Sequence, residues 1–478
     1  MLKFGKNKTA LLLLAALVLC DSNSFADQNL NSKINSKTVK NLSINKNIQN
    51  IFYNYCWNIL PTMSLLKFSW FYKNIKSKIA AVIYNRDEIN KKDNLSDELL
   101  KKYLKSPVIP EDVKKIISNI KGSPYMENIG KVKYKGSALS SDRNYQYDNS
   151  EKNTKLEEEL DKLIDNGLSH LKYTTEEQLD RLIKSAKNGS ESDEKVRARF
   201  YDAKGVDASD FFKYKSAENS MAVVCSQYNA LESCDDYFSP VNWWPYDRTQ
   251  GPILSLSALV FAKLRESSYL KGKLNDAIDD VLGEQWMNKQ LDNHKLYSHG
   301  YLNLRRAYHI LDDNEKKELI NRVEKNISKF KLNFQWVLCN DKKTPMIQIF
   351  AAAPSIQPVF GDGGIWYSST DAEEKGNFYN PICETIQVHQ MKMIGKLAKL
   401  RRMVSGKSFA LHAWLPGGRS FQNHPSVLKT AAEAFIDEVR DVDIDVYFHN
   451  RTGGNPGKQA LEEKGIKFES INSFKTKN

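Results

Sequence analysis

Met221-Ala-Val-Val-Cys-Ser-Gln-Tyr-Asn-Ala-Leu-Glu232 opens with an unbroken apolar run of strand length and ends in polar residues. Ser408-Phe-Ala-Leu-His-Ala-Trp-Leu-Pro-Gly-Gly-Arg-Ser-Phe-Gln-Asn423 repeats the pattern and closes on paired glycines ahead of a helix-forming stretch. Continuous apolar runs mark strands buried on both faces, as in a parallel sheet covered by helices. Working outward, strand-like runs recur at 334–339, 346–352 and 443–448, with helical stretches at 252–265, 302–330, 382–403 and 425–439 between them. This alternation predicts an α/β domain over 195–478, with a mostly parallel sheet flanked by helices and a helical insertion at about 266–330. The runs 221–226 and 408–415 are expected near the centre of that sheet. Ligands of open α/β sheets bind outside the C-terminal strand ends, where both polar tails fall.

Upstream the texture differs. Residues 27–194 are expected to form a mainly helical region with a polar, Asn/Ser/Lys-rich start at 27–50 that cannot bury a core. Apolar residues at three- and four-residue spacing in Asp97-Glu-Leu-Leu-Lys-Lys-Tyr-Leu104 and Leu156-Glu-Glu-Glu-Leu-Asp-Lys-Leu-Ile164 read as amphipathic helices. A Gly/Ser/Tyr-rich linker lies near 130–150, and Asn188-Gly-Ser-Glu-Ser-Asp193 marks the start of the next domain. At the N-terminus, Lys3, Lys6 and Lys8 precede the apolar run Thr9–Leu19, and Ser24-Phe-Ala26 supplies small residues at a cleavage site. That is the form of a signal peptide covering 1–26, and export to the periplasm, the outside or a host cell is expected. The apolar run is shorter than a membrane span requires.

The chain has 478 residues and a formal charge of +12. Its lysines are dispersed, with no Arg-rich arm, so nucleic acid is not an expected partner and attraction to membrane surfaces is weak. Of six cysteines, Cys20 lies in the leader. Cys56, Cys225, Cys234, Cys339 and Cys383 are irregularly spaced without a Cys-x-x-Cys pair, so neither a disulfide framework nor a zinc site is expected. No His-Glu-x-x-His or Gly-x-Ser-x-Gly occurs, and no cofactor is implied. Nothing in the pattern speaks to oligomeric state.

The residues that can carry chemistry gather after the two strands. Asn229 and Glu232 follow the first, and Asp235, Asp236 and Asp247 come before a helix opened by Gln250-Gly-Pro252. Carboxylates at strand ends suit hydrolysis of a glycosidic bond, one activating water and others holding sugar hydroxyls or a cationic centre. Asp247, Asp236 and Glu232 are the candidates for that role. Asp247 with Gln250 is equally a capping-box-like helix start, and Asp235 and Asp236, each taken singly, read more readily as solvated loop charges. After the second strand, Gly417 and Gly418 leave backbone N–H groups bare for a diphosphate at a helix N-terminus. Phe421 can stack on a sugar and Asn423 can hydrogen-bond. His424 flanks this loop, whereas His389 falls in a helix and His412 in a strand.

These segments resemble a divergent macrodomain. In that family a strand ends in an Asn that contacts the distal ribose, and a later Gly-rich loop with an aromatic residue wraps the diphosphate. The resemblance implies that Asn229 takes the ribose role, Gly417 and Gly418 the diphosphate role, and Phe421 that of the aromatic. Ser226-Gln-Tyr-Asn-Ala-Leu-Glu232 with Asp247-Arg-Thr-Gln-Gly-Pro252 is further similar to macro-like ADP-ribosyl-ubiquitin hydrolases among secreted bacterial effectors, which adds Gln250 as a ligand contact. The Asn-Ala-Ala-Asn of many macrodomains and the Gly-Gly-Gly and Gln-Glu-Glu signature of poly(ADP-ribose) glycohydrolases are absent. The resemblance therefore implies ADP-ribose binding more directly than hydrolysis. The expected partner is ADP-ribose or an ADP-ribosylated protein, and the expected activity is an ADP-ribosylhydrolase. The alternatives are a non-catalytic reader of ADP-ribose or nucleotides, and an interaction protein acting through its helical half.

Overall fold

A computed structural model describes residues 94–109, 171–187, 197–204, 220–230, 276–292, 294–298, 300–339, 344–356, 372–417, 421, 423–450 and 455–471. The expected leader, the linker near 130–150 and the helix at 252–265 lie outside the described residues. In chain order the described elements are α1 (Asp97–Lys105), β1 (Lys172–Thr174), α2 (Glu176–Lys187), β2 (Arg199–Lys204) and β3 (Met221–Ser226). Next come α3 (Asp279–Met287), the short pairs β4 (Gln290–Leu291) with β5 (His294–Lys295) and β6 (Tyr297–Ser298) with β7 (Tyr301–Leu302), then α4 (Leu304–Ile310) and α5 (Asp313–Asn326). The chain ends with β8 (Leu332–Cys339), β9 (Thr344–Ala352), α6 (Ala372–Ser405), β10 (Ala410–Ala413), α7 (Pro425–Val439), β11 (Asp445–Asn450), α8 (Pro456–Glu463) and β12 (Phe468–Ile471).

Eight strands form one sheet in the order β1-β8-β9-β3-β10-β11-β2-β12. From β9 through β12 every pairing is parallel, while β8 is antiparallel to both β9 and β1. The fold is α/β with a mostly parallel sheet, and β3 and β10 sit side by side at its centre. Four residues join β8 to β9, far too few for the crossover that a parallel pairing needs.

One sheet face carries the row Phe334, Ile349, Val223, Ala413, Phe448 and Asp202, in register across six strands. Helices cover it. Tyr103 of α1 meets Phe334 edge-on at 5.9 Å, and Phe435 of α7 meets Phe448 at 5.8 Å. Gly457 of α8 lies so close to Phe448 that a Cβ there would come within 2.5 Å of its ring. α7 owes its place to its sequence. Pro425 occupies its first turn, the His424 ring accepts from Ser426 N as N-cap, and Val427, Leu428, Ala431, Ala432, Phe435, Ile436 and Val439 form one buried stripe. α6 packs against α1, α2, α5 and α7. Glu176 at the start of α2 ties to it through Lys396 at 2.6 Å, Lys392 at 3.0 Å and His389 at 3.4 Å.

Segments on both sides of residue 194 share one core. Leu95, Leu99, Tyr103, Leu179 and Leu182 belong to the same buried cluster as β3, β9 and β10. Among the described residues, no helix is long and apolar enough to cross a membrane.

Candidate functional site

Where the chain goes after each central strand creates the site. After β3 it next enters the sheet at β8, to one side, and returns through β9. α6 then carries it past β3 to β10, from which it continues to β11 on the other side. Connections leaving two neighbouring parallel strands in opposite directions open a crevice between their C-terminal ends.

The β3 side of the crevice is Gln227-Tyr-Asn-Ala230. Ala230 N donates to Gln227 O at 2.9 Å, which closes a turn with Ala230 held at φ 56, a strained conformation for a residue with a Cβ. The Tyr228 ring is buried against Tyr297 and Phe330, and the Asn229 side chain is buried as well. The β10 side is Trp414-Leu-Pro-Gly417. Gly417 has φ 96, and a Cβ there would stand 3.0 Å from both Ala353 Cβ and Asn423 Oδ1. Only glycine combines that backbone with that clearance.

Asn423 binds this turn to the end of β9. Its backbone N donates to Gly417 O at 2.9 Å, and its Nδ2 donates to Pro354 O at 2.8 Å and Phe421 O at 3.3 Å. Two glutamines of α6 reinforce the frame from below. Gln390 brackets Ala352, accepting from its N and donating to its O, both at 3.0 Å, and Gln387 donates to Pro416 O at 3.4 Å. The exits of β9 and β10 are thereby fixed to one helix. A glutamine pair three residues apart on an otherwise buried helical face is a signal that sequence reading passed over.

A third wall comes from the insertion. Gly300, with φ 78 between β6 and β7, accepts from Tyr228 N at 3.0 Å, and a Cβ on it would stand 2.5–2.7 Å from the amide atoms of Asn229. The next residue, Tyr301, brings its ring to 5.6 Å from that of Phe421. Leu302 O accepts from Ser355 N at 2.9 Å, and Ser355 O accepts from Leu304 N at 3.0 Å. The hairpin therefore touches the exits of β3, β9 and β10 together.

Of the residues expected from sequence, Asn229, Gly417, Phe421 and Asn423 lie around this one crevice. Gly418, Gln250, Glu232, Asp236 and Asp247 lie outside the described residues. Of the described residues that flank 231–275, Ala230 ends the β3 turn, and Ala277 N donates to Tyr228 O at 2.9 Å. His424 is engaged in capping α7. Among the described residues, no group of three or more His, Cys, Asp or Glu side chains is placed to hold a metal ion.

No protein-family model matches the chain, and no curated protein matches it in sequence. Among solved structures, a mutant of the poly(ADP-ribose) glycohydrolase of Deinococcus radiodurans, in complex with ADP-ribose, is similar at 13% identity and a TM-score of 0.29. The match covers 64% of this chain and 98% of that one. Similarity this slight does not establish a shared fold.

The foot of the insertion holds a charge feature of its own. Asp276 is buried, its backbone N donates to Asp279 Oδ2 at 3.0 Å, and the neighbouring Lys331 pairs with Asp280 at 2.8 Å. Burial, and then the charge of Asp279, push the Asp276 carboxyl up from 3.8 to about 7, against the pull of the Tyr297 hydroxyl and of Lys331. Asp279 is raised too, mainly by burial. A carboxyl that binds its proton more tightly when folded gives stability that is complete below about pH 4 and is lost as pH rises through 7. The buried His412–His449 pair, 2.9 Å apart and held neutral by burial, acts in the opposite sense below pH 6.5. The telling quantity is thus a difference between variants. Relative to Asp276→Asn, the wild type is expected to lose stability from pH 4 to pH 8, by no more than about 1.4 kcal/mol per pH unit. Thermal melts of both proteins across that range check it, and a flat difference would refute it.

Proposed function

We propose that this protein binds ADP-ribose, free or attached to protein, in the crevice between the exits of β3 and β10, and hydrolyses the bond that attaches it. One observation carries the reading. The Asn-bearing turn and the glycine turn, far apart in sequence, flank the same switch point of the sheet. Crevices of this kind receive ligands in open α/β sheets generally. The chemistry of the walls narrows the class of ligand. The left-handed glycine turn at Gly417, ahead of the N-terminus of α7, suits an anionic diphosphate. An amide at Asn229 and an aromatic ring at Phe421 suit a ribose, as the macrodomain resemblance implies. The carboxylates Glu232, Asp236 and Asp247, which follow the β3 turn in sequence, are the acid–base groups proposed for hydrolysis.

Titration calorimetry of the full chain with ADP-ribose tests the reading. Saturable binding by wild type is expected. Gly417→Val is expected to weaken it at least about tenfold, or 1.4 kcal/mol, because its Cβ presses on Ala353 and Asn423. Gly406→Val is the control, since Gly406 is also left-handed at φ 66 but has nothing within 4 Å of an added Cβ. It is expected to bind as wild type does. A folded wild type that gives no heat with ADP-ribose overturns the proposal.

A further inference from the structure

Asn229, the residue proposed to meet the ribose, has 1% of its surface exposed. What covers it on one side is known: the backbone of Gly300, packed so closely that no side chain fits there. From this we infer that the Gly300–Tyr301 corner of the insertion is a lid, closed over the crevice in the ligand-free protein and displaced when ligand enters. The inference rests on the ADP-ribose reading above for the identity of the ligand, though the closed contact does not.

The attachment of the corner is local, as a lid requires. β6 and β7 are two residues each, so they give the corner little ladder of its own. On the β3 side the corner is held by Tyr228 N donating to Gly300 O at 3.0 Å, and on the β10 side by the Tyr301–Phe421 ring contact at 5.6 Å. Both rings are only partly buried. The base, in contrast, is firm. Asn303 N donates to Leu296 O at 2.9 Å, closing the loop behind the corner, and Leu296 and Leu302 are fully buried. Opening breaks the Tyr228–Gly300 hydrogen bond and the Tyr301–Phe421 ring contact, among the contacts of the tip, while the base stays docked. A short hairpin tip above a packed base can open locally without global unfolding.

A closed lid lowers apparent affinity by the fraction of molecules that are open. Weakening the closed contact should thus raise affinity, whereas weakening a fixed ligand-binding wall should lower it. Tyr301→Ala removes the ring contact and leaves the Gly300 backbone in place. On the lid reading, ADP-ribose association becomes about tenfold faster by stopped flow, and dissociation changes little. Unchanged association with faster dissociation would identify Tyr301 as a fixed wall and overturn the lid. Hydrogen exchange of the ligand-free protein gives a second, ligand-independent readout. The Tyr228 amide should exchange well ahead of the Val223 and Val224 amides within β3, and faster still in Gly300→Val, whose Cβ collides with Asn229. Equal protection of Tyr228 and β3 overturns the lid even if wild type fails to bind ADP-ribose. Failure to bind with early exchange at Tyr228 overturns the ligand assignment alone.

Discussion

Asp247→Asn is expected to slow release of ADP-ribose from a modified protein by about 10²–10⁴-fold, the range lost when a positioned acid–base group is removed. Under the proposed function, a carboxylate must take a proton from water beside the anomeric carbon. Asn keeps the shape and most of the hydrogen bonding of Asp but accepts no proton. The loss should therefore fall in kcat, with ADP-ribose affinity nearly unchanged. Three carboxylates compete for the role: Glu232, Asp236 and Asp247, all of which follow the β3 turn in sequence. Asp247 ranks first because Gln250-Gly-Pro252 directly after it reads as a helix start, and a helix end holds a side chain more firmly than a free loop does. Glu232→Gln and Asp236→Asn should be assayed beside it, with release of ADP-ribose measured for each. Wild-type rates in all three would remove the enzyme and leave a reader.

Trp336→Ala is expected to cost about 3–5 kcal/mol of stability, the range for truncating a buried aromatic side chain. Trp336 is among the largest fully enclosed side chains among the described residues. Its Nε1 donates to Tyr103 O at 2.7 Å and its backbone N to Tyr103 Oη at 3.0 Å, which fastens α1 to β8. The Arg401 guanidinium lies 5.3 Å from the indole centroid. Truncation opens a cavity, strips a buried carbonyl of its donor and takes away the ring beneath a buried cation. Urea unfolding of the two proteins gives the difference directly. Trp336→Phe keeps most of the volume but not the N–H, so it should recover more than half of the loss. Equal stability of Trp336→Ala and wild type would show that α1 contributes nothing to the core.

How much of this was visible in the amino acids depends on what kind of signal each element has. β3 and α7 have the expected limits because an apolar run, or an N-terminal proline with a regular apolar stripe, is local information. β1, β2 and β12 were passed over. They are short, carry charges such as Arg199, Asp202 and Glu469, and become strands by pairing at the sheet's outer positions rather than by their own periodicity. The helix expected at 302–330 divides into α4 and α5 at Asp312, which forms a capping box with Glu315. The helix expected from 382 begins at Ala372 and runs through Pro381, a residue that sequence reading takes as a boundary. The crevice shows the same division. Asn229, Gly417, Phe421 and Asn423 were legible because residues that follow a strand share its rim. Gln387, Gln390, Gly300 and Tyr301 arrive from a helix and an insertion whose docking no local pattern reveals.

The hydrogen bond from Ala277 to Tyr228 O also bears on how such a protein diversifies. A segment that departs from and rejoins one point of a rigid frame is an exchangeable cassette. Doubling the length of a flexible excursion adds only about 0.6 kcal/mol of closure entropy, and no strand register shifts when its contents change. The frame can therefore accept chain of different length between Ala230 and Asp276 while the register of β3, β9 and β10 stays as it is.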